Sequence, residues 1–451
     1  MFKTLKDAFK MKDVRKKILF TLLLLFIYRV GCWIPIPGIN PDVFNLDRGD
    51  AGTLGGSGAS DFLTLLDSMS GGALANGAIL ALGVGPYITS SIVMQLLTIA
   101  IPALERLSKQ GDDGRRKIAV YTRYVALAMS LAQAIAITLA FGTQAMNIAV
   151  FGASVPSWVV FIMVVLTLVA GSMFTVWIGD KITEHGVSNG MSMLIFIGII
   201  STGVGAFYSS IGVAFGFVGD EGMDLTRLWI PLTFVALLLF IFFTIVFVDL
   251  AERRIPVNYA KQIRGNKQTS GGTQIIPLKI NATGVIPIIF AFSMLQFPQL
   301  IMGLIPGVPD SDFYAGYTRW LGAGEPINII LTSLLILGFT YFYATLQFNP
   351  DDVQKQLQQN GGMIYGYRPG PPTRDYLKRV SGRITFFGAI FLMLIALVPS
   401  LVFRAALGDE GGMLLNAFTS IGLLITVSVA LEFDKQLQGQ MMMKQYKGFL
   451  K

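Results

Sequence analysis

Apolar stretches of about twenty residues recur along the whole chain, each long enough to cross roughly 30 Å of hydrocarbon as a helix. They centre on residues 18–36, 76–101, 118–141, 157–178, 190–208, 229–248, 283–304, 327–348, 384–403 and 413–431. Such a pattern predicts an all-α integral membrane protein of ten spans. Composition agrees, with 53% hydrophobic and only 14% charged residues, where a soluble domain carries about a quarter charged. A basic stretch (Lys10, Lys12, Arg15, Lys16, Lys17) precedes Ile18–Tyr28 as it would in a signal peptide. The run is long and no small-x-small cleavage site follows, so it is expected to stay as the first span.

Lys and Arg fix the expected orientation. With the N-terminus in the cytoplasm, 29 of the 35 fall in inside segments, so both termini are cytoplasmic and the span count is even. The net charge of +8 is then a surplus on the inner face, suited to anionic phospholipid or an anionic partner.

Several chemistries lack their residues. One cysteine, Cys32, allows no internal disulfide, and one histidine, His185, leaves no Cys/His metal cluster. His185 reads as a solvated residue of a polar loop over Gly179–Asn189. No Gly-Lys dipeptide occurs, so there is no P-loop. No enzyme activity and no cofactor are expected, and any work is driven by another molecule or a gradient.

Gly83-Val84-Gly85-Pro86-Tyr87-Ile88 in span two matches Gly284-Val285-Ile286-Pro287-Ile288-Ile289 in span seven as G-V-x-P-x-I. Each sits in the second span of a five-span half. Five is odd, so the halves are inverted repeats, and matched Gly/Pro interruptions point to a site at their interface. Ionisable groups at mid-membrane mark solute and ion pathways. Arg29 and Arg123, the basic residues within spans, lie near span ends where they can snorkel, and no Asp, Glu or His lies near a span centre. The expected pathway is apolar. A secondary solute transporter, the alternative for an inverted repeat, would be expected to carry polar or ionisable groups there.

Between spans one and two, Gly49–Ser60 is a Gly/Ser/Asp linker. It is followed by a stripe of Phe62, Leu63, Leu65, Leu66 and Met69 that is too short to span. Ser70-Gly71-Gly72 ends it, with glycines suited to a C-cap and a hinge. Two inner segments, Glu252–Asn281 and Asn349–Gly382, exceed simple connectors. The first holds Arg253, Arg254, Lys261, Arg264, Lys267 and Lys279, with β-prone stretches on either side of Arg264–Lys267, and the second holds Tyr365-Gly-Tyr-Arg368-Pro-Gly-Pro-Pro372. Basic and protruding, they suit docking of an acidic protein or of RNA.

The motifs Ile34-Pro-Ile-Pro-Gly-Ile39, Ser70-Gly-Gly-Ala-Leu74, Ala81-Leu-Gly-Val-Gly-Pro-Tyr-Ile88, Gly114-Arg-Arg-Lys-Ile118, Tyr121-Thr-Arg-Tyr124, Gly186-Val-Ser-Asn-Gly190, Phe348-Asn-Pro350 and Arg368-Pro-Gly370 follow one another in this order. Together they make the chain resemble the SecY/translocon alpha-subunit family from end to end. That resemblance implies ten transmembrane helices in two inverted five-helix halves, a clamshell around an hourglass pore. It implies a pore ring at Val84, Ile88, Ile195, Ile289 and Ile425, a plug over 61–72, and a lateral gate between spans two and three and spans seven and eight. Pro86, Pro287, Gln95 and Asn281 are the gate candidates. The implied organisation is a basic N-terminus (1–17), a first half (18–208), an external hinge (209–228), a second half (229–433) with inner loops 249–282 and 349–383, and a tail (434–451). The implied function is passage of unfolded preproteins across the bacterial plasma membrane and lateral release of transmembrane segments. Implied partners are SecE, SecG, the motor ATPase SecA, the ribosome, and signal sequences and nascent chains, with no role for DNA. Asn266-Lys267 stands where some members carry two Arg residues, which bears on partner affinity.

Overall fold

A computed structural model of the chain describes residues 2–37, 39, 67–141, 156–214, 229–259, 262–264, 267–269, 272–281, 283–304, 312–321, 326–407 and 420–449. A helix coincides with each of the ten apolar stretches. The first half holds α1 (Phe2–Lys10), α2 (Lys12–Gly31), α3 (Gly85–Ala100), α4 (Pro102–Ser108), α5 (Asp112–Phe141), α6 (Ser157–His185) and α7 (Gly190–Ala214). After α8 (Trp229–Asp249) come strands β1 (Glu252–Tyr259), β2 (Gln262–Arg264), β3 (Lys267–Thr269) and β4 (Thr273–Lys279). The chain continues through α9 (Ile286–Leu304), α10 (Asp312–Leu321), α11 (Pro326–Gln347), α12 (Pro350–Gln359), β5 (Gly362–Ile364), α13 (Pro371–Leu407) and α14 (Ser420–Phe449). Among the described residues, five helices are individually long and apolar enough to span, and α3 with α4 form a further pair bent by 105°. Pro102 ends α3 by removing an amide donor and disfavouring helix at the preceding residue.

Span two departs from its sequence reading. Residues 73–84 are turns, and the helix starts only at Gly85. Hydropathy sees an apolar run there, yet Gly77 (φ 55°) and Gly83 (φ 52°) take left-handed backbone that a helix cannot use. Non-helical backbone at membrane depth is tolerated where protein encloses it. Here Leu74, Ala78, Leu80, Ala81, Leu82 and Val84 are all buried. Span seven repeats the device, with Gly284 at φ 63° and α9 starting two residues later. The match extends to the first helical bonds: Ile88 N–H donates to the Val84 carbonyl at 3.1 Å, and Ile289 N–H to that of Val285 at 3.2 Å.

Segments 252–281 and 349–382 add strands to a mostly helical fold. The β-prone flanks of Arg264–Lys267 are β2 and β3, paired antiparallel with Arg264 opposite Lys267. The larger sheet has the order β4-β1-β5, so one loop contributes two strands and the other loop the third. Ile255 and Val257 of β1 alternate inward, as strand period dictates, and pack with Leu278, Ile364, Leu357 and Leu377 in a small separate core. His185 ends α6 rather than lying in a loop, and its ring packs edge-on to Phe20 at 6.1 Å.

Candidate functional site: an apolar waist with a capped entrance

All five proposed ring residues fall in one apolar cluster. Val84, Ile195 and Ile425 are buried within it, and Ile88 and Ile289 pack against it half-buried. They come from the start of α3, from α7, from the start of α9 and from α14, so both halves meet at this point. The cluster also takes Ala73 and Met69 from the segment following span one.

That segment is the plug candidate. Phe62, Leu63, Leu65 and Leu66 lie outside the described residues, while 67–70 form a helical turn that ends at Gly71 (φ 77°) and Gly72 (φ 83°). Gly72 N–H donates to the Asp67 carbonyl at 2.9 Å, closing the turn. Helix α2 then holds its end by three donors. Tyr28 Oη and Cys32 Sγ donate to the Ser70 carbonyl at 3.3 and 3.4 Å, and Arg29 Nη1 donates to the Gly71 carbonyl. Arg29 therefore does not snorkel. Its guanidinium also lies 5.6 Å from the centre of the Trp33 ring. A bond from a charged donor contributes about 1.5–3 kcal/mol and a neutral one about 1 kcal/mol, so Arg29 dominates this clasp. From the other side, Gly198 of α7 brings its backbone so close that a Cβ there would sit 2.5 Å from the Met69 carbonyl oxygen.

The helices that carry the gate candidates converge as well. α3 and α9 each pack against α5, and α9 packs against α11. Pro86 and Pro287 are buried at the two helix starts. Gln95 Oε1 accepts a hydrogen bond of 2.8 Å from Tyr343 Oη of α11, directly across the halves. Tyr343 in turn meets Phe290 of α9 edge-on at 5.1 Å. Asn281 is buried in the turn before α9 and donates from Nδ2 to Asp249 Oδ1 at 3.2 Å, so the two polar gate candidates have different partners. Arg123 is also paired, through Nη2, with Asp180 Oδ2 of α6 at 2.8 Å, which replaces snorkelling with an ion pair behind α3.

Of the docking candidates, Arg253, Arg254 and Arg368 are exposed. Arg254 Nε donates to Glu252 Oε1 at 2.8 Å. Lys261 lies outside the described residues, and Arg264 and Lys267 face each other across the β2–β3 pair. Arg368 sits in a turn between Gly366 (φ 82°) and Gly370 (φ 120°), with Tyr367 stacked on Tyr376 of α13 at 4.2 Å. Sequence reasoning missed Tyr343 and Tyr28. A tyrosine in an apolar helix looks like an interface anchor until its partner is seen.

The profile of the SecY family matches residues 78–433. Over 457 residues the chain is 38% identical to the protein translocase subunit SecY of Halalkalibacterium halodurans, covering all of both chains. It is similar in fold to a SecY protein whose plug domain stabilises the closed state of the translocation channel and maintains a membrane seal, with TM-score 0.60, 18% identity, and coverage of 94% of this chain and 91% of that one. A canine Sec61 in a ribosome-channel complex from the endoplasmic reticulum gives TM-score 0.57 at 18% identity, with the same coverage. Full-length identity at this level and a profile match over most of the sequence place the chain in the SecY family.

Proposed function

We propose that the chain is the pore-forming subunit of a protein-conducting channel in the bacterial plasma membrane. It passes unfolded preproteins across the bilayer and releases transmembrane segments sideways into lipid. The carrying observation is the convergence of Val84, Ile88, Ile195, Ile289 and Ile425 in one apolar cluster that also receives the plug end. A polypeptide presents every side-chain type in turn, so a fixed charge or hydrogen-bond site would trap some and reject others. Branched aliphatics bind none tightly. Empty, such a waist dewets and blocks ions; occupied, it closes around the extended chain. A solute transporter would need a polar site there, and the family assignment speaks against it.

In this reading the halves 18–208 and 229–433 open about the 209–228 connection, and residues 61–72 plug the pore. The seam between α3 and α5 on one side and α9 and α11 on the other is the lateral gate. The positive-inside pattern supports cytoplasmic termini, which places the β4-β1-β5 sheet and Arg253, Arg254, Lys261, Arg264, Lys267 and Arg368 on the cytoplasmic face. There they meet the ribosome or SecA, with SecE and SecG completing the complex. The ribosome-bound canine relative supports the first of these partners. No catalytic group and no cofactor is assigned to this chain, and ATP hydrolysis resides in SecA.

Reconstitution with SecE and SecA tests the proposal. ATP-dependent transfer of a preprotein into a protease-protected liposome lumen is expected. Absence of transfer, with a small solute bound instead, would overturn it.

A further inference from the structure

Beyond the apolar stretches, α1 and α14 close on each other from opposite halves of the chain. Ala8 of α1, Val14 and Ile18 of α2, Val187 in the turn between α6 and α7, and Leu437 of α14 form one cluster, each at most 5% exposed. Phe433 and Met441, one helical turn to either side of Leu437, pack around it with Met11, the extended corner between α1 and α2. Leu437 is thus a knob in a socket that the first half builds. That socket is braced: a Cβ on Gly186 would sit 2.6 Å from Thr21 Oγ1 of α2, and Gly190 N–H donates to Thr183 Oγ1 at 2.8 Å. Gln440 Nε2 of α14 donates to the Val187 carbonyl at 3.5 Å. The neighbouring Ser188 hydroxyl is buried with no partner among the described residues, a cost that the packing around Val187 must outweigh.

The location of this contact decides what it does. On α14, Glu432, Asp434 and Lys435 end the apolar stretch before Leu437 is reached, and Lys10, Lys12, Arg15, Lys16 and Lys17 flank the socket on α1 and α2. The knob therefore lies outside the hydrocarbon, where water makes apolar burial favourable. Helix contacts inside a bilayer gain no such drive, because lipid tails are as apolar as leucine. Within the bilayer the halves meet along two lines. One is the seam, where α9 packs on α5 and Tyr343 bonds Gln95. The other is α14 against α7. Among the described residues only the second line continues into an apolar cluster outside the hydrocarbon, since the core under the strands belongs wholly to the second half.

We propose that α1 and the 186–190 turn clip α14 to the first half, so that α14 is the axis on which the halves swing and the seam is the side that parts. The swing rests on the channel reading; the clip does not. Ile425 of the waist lies on the same helix as Leu437, about 18 Å away along its axis. Holding Leu437 keeps Ile425 with the first half while Ile289 leaves with α9. Ala8, Val187 and Leu437 are then positioning residues that fix the direction of opening, and a signal helix entering the seam meets a clamshell that yields on that side only.

Hydrogen exchange of the full chain in complex with SecE, in detergent, reads the clip directly. Leu437→Ala empties the socket, and Ala8→Asp puts a carboxylate into it without altering α14. Each is expected to speed exchange of the amides of α1 and of 433–441 by about tenfold, with α3 and α9 unchanged. Leu437→Met, which keeps the volume, is expected to stay within about twofold of the parent. Parent-level exchange in both disruptive variants would overturn the clip. The axis is read in proteoliposomes. Tyr343→Phe, on the seam, is expected to improve export of a preprotein with a weakened signal, whereas Leu437→Ala and Ala8→Asp are expected to give no such rescue and to slow transfer of the intact preprotein by about threefold or more. Rescue by a clip variant to the level of Tyr343→Phe would place α14 in the gate and overturn the axis. So would faster exchange with parent-level transfer, which would reduce the contact to packing. Should Leu437→Ala not fold, Ala8→Asp outside the hydrocarbon decides both points. Exchange reports on the clip whether or not the parent transfers preprotein, so its failure is distinguishable from failure of the channel reading.

Discussion

At the first Gly-Val-x-Pro break, Gly83 turns at φ 52° and a Cβ built on it would lie 3.4 Å from Ser70, the last helical residue of the plug candidate. At the second break, Gly284 turns at φ 63° and an added Cβ would meet nothing within 4 Å. The backbone device is the same, down to the amide that bonds back four residues from each isoleucine. Only the filling differs. The repeat therefore supplies two matched breaks, whereas among the described residues only the first has the plug candidate against it, held by α2 and α7.

The most severe way to test that equivalence is a charge at each waist position. Ile88→Asp and Ile289→Asp should both raise resting ion conductance strongly in planar bilayers, because the roughly 3 kcal/mol a charge costs at mid-membrane is relieved only by water entering the constriction. Leak from Ile88→Asp alone would confine the ring to the first half. Leak from neither would remove the ring assignment.

A smaller perturbation separates seal from hinge. Gly198→Ala drives a methyl against the Met69 carbonyl and should unseat the plug end at a cost of about 1–3 kcal/mol, visible as increased leak. Gly284→Ala carries the left-handed backbone penalty of about 1–2 kcal/mol but presses on nothing, so Tm in detergent should fall while conductance stays at the parent level. If both variants leak alike, the seal is not confined to the first half.

Gentler still is Tyr343→Phe, which deletes the hydrogen bond from α11 to Gln95 on α3. Its loss of about 1 kcal/mol should favour the open seam by about fivefold. Preproteins with weakened signal sequences should then be exported better than through the parent, and unchanged export would show that this contact does not hold the gate. Arg368→Glu should leave both breaks and the leak untouched. Its expected effect, of order 1 kcal/mol for an exposed charge, is weaker coupling to SecA or the ribosome, seen as slower transfer at limiting partner concentration.

Much of this fold was legible in the sequence, since each apolar run coincides with a helix and the β-prone flanks of Arg264–Lys267 form the β2–β3 pair. Hydropathy failed at residues 73–84, because an apolar composition does not distinguish a buried turn from a helix. Only the positions of Gly77, Gly83 and Pro86 hinted at it. The matched motif pointed to both breaks but not to their difference, which depends on a contact from Ser70. Arg29 and Arg123 were read as snorkelling because their partners, the Gly71 carbonyl and Asp180, are distant in sequence. Most of the plug stripe, Phe62 to Leu66, lies outside the described residues, so that part of the reading stays with the sequence. Tyr343 carried no signal beyond its type, and its pairing with Gln95 spans the two halves.

The pairing of β1 with both β4 and β5 has a mechanical side. β1 leaves α8, β4 leads into α9, and β5 stands between α12 and α13. A partner pulling on the tip of either inner segment loads a shared yoke rather than one finger, because the strand ladder must shear before the two segments part. Force applied there is divided among the ends of three membrane helices, α8, α9 and α13. On the proposed reading, a partner gripping this yoke would load three helices of the second half together rather than one loop.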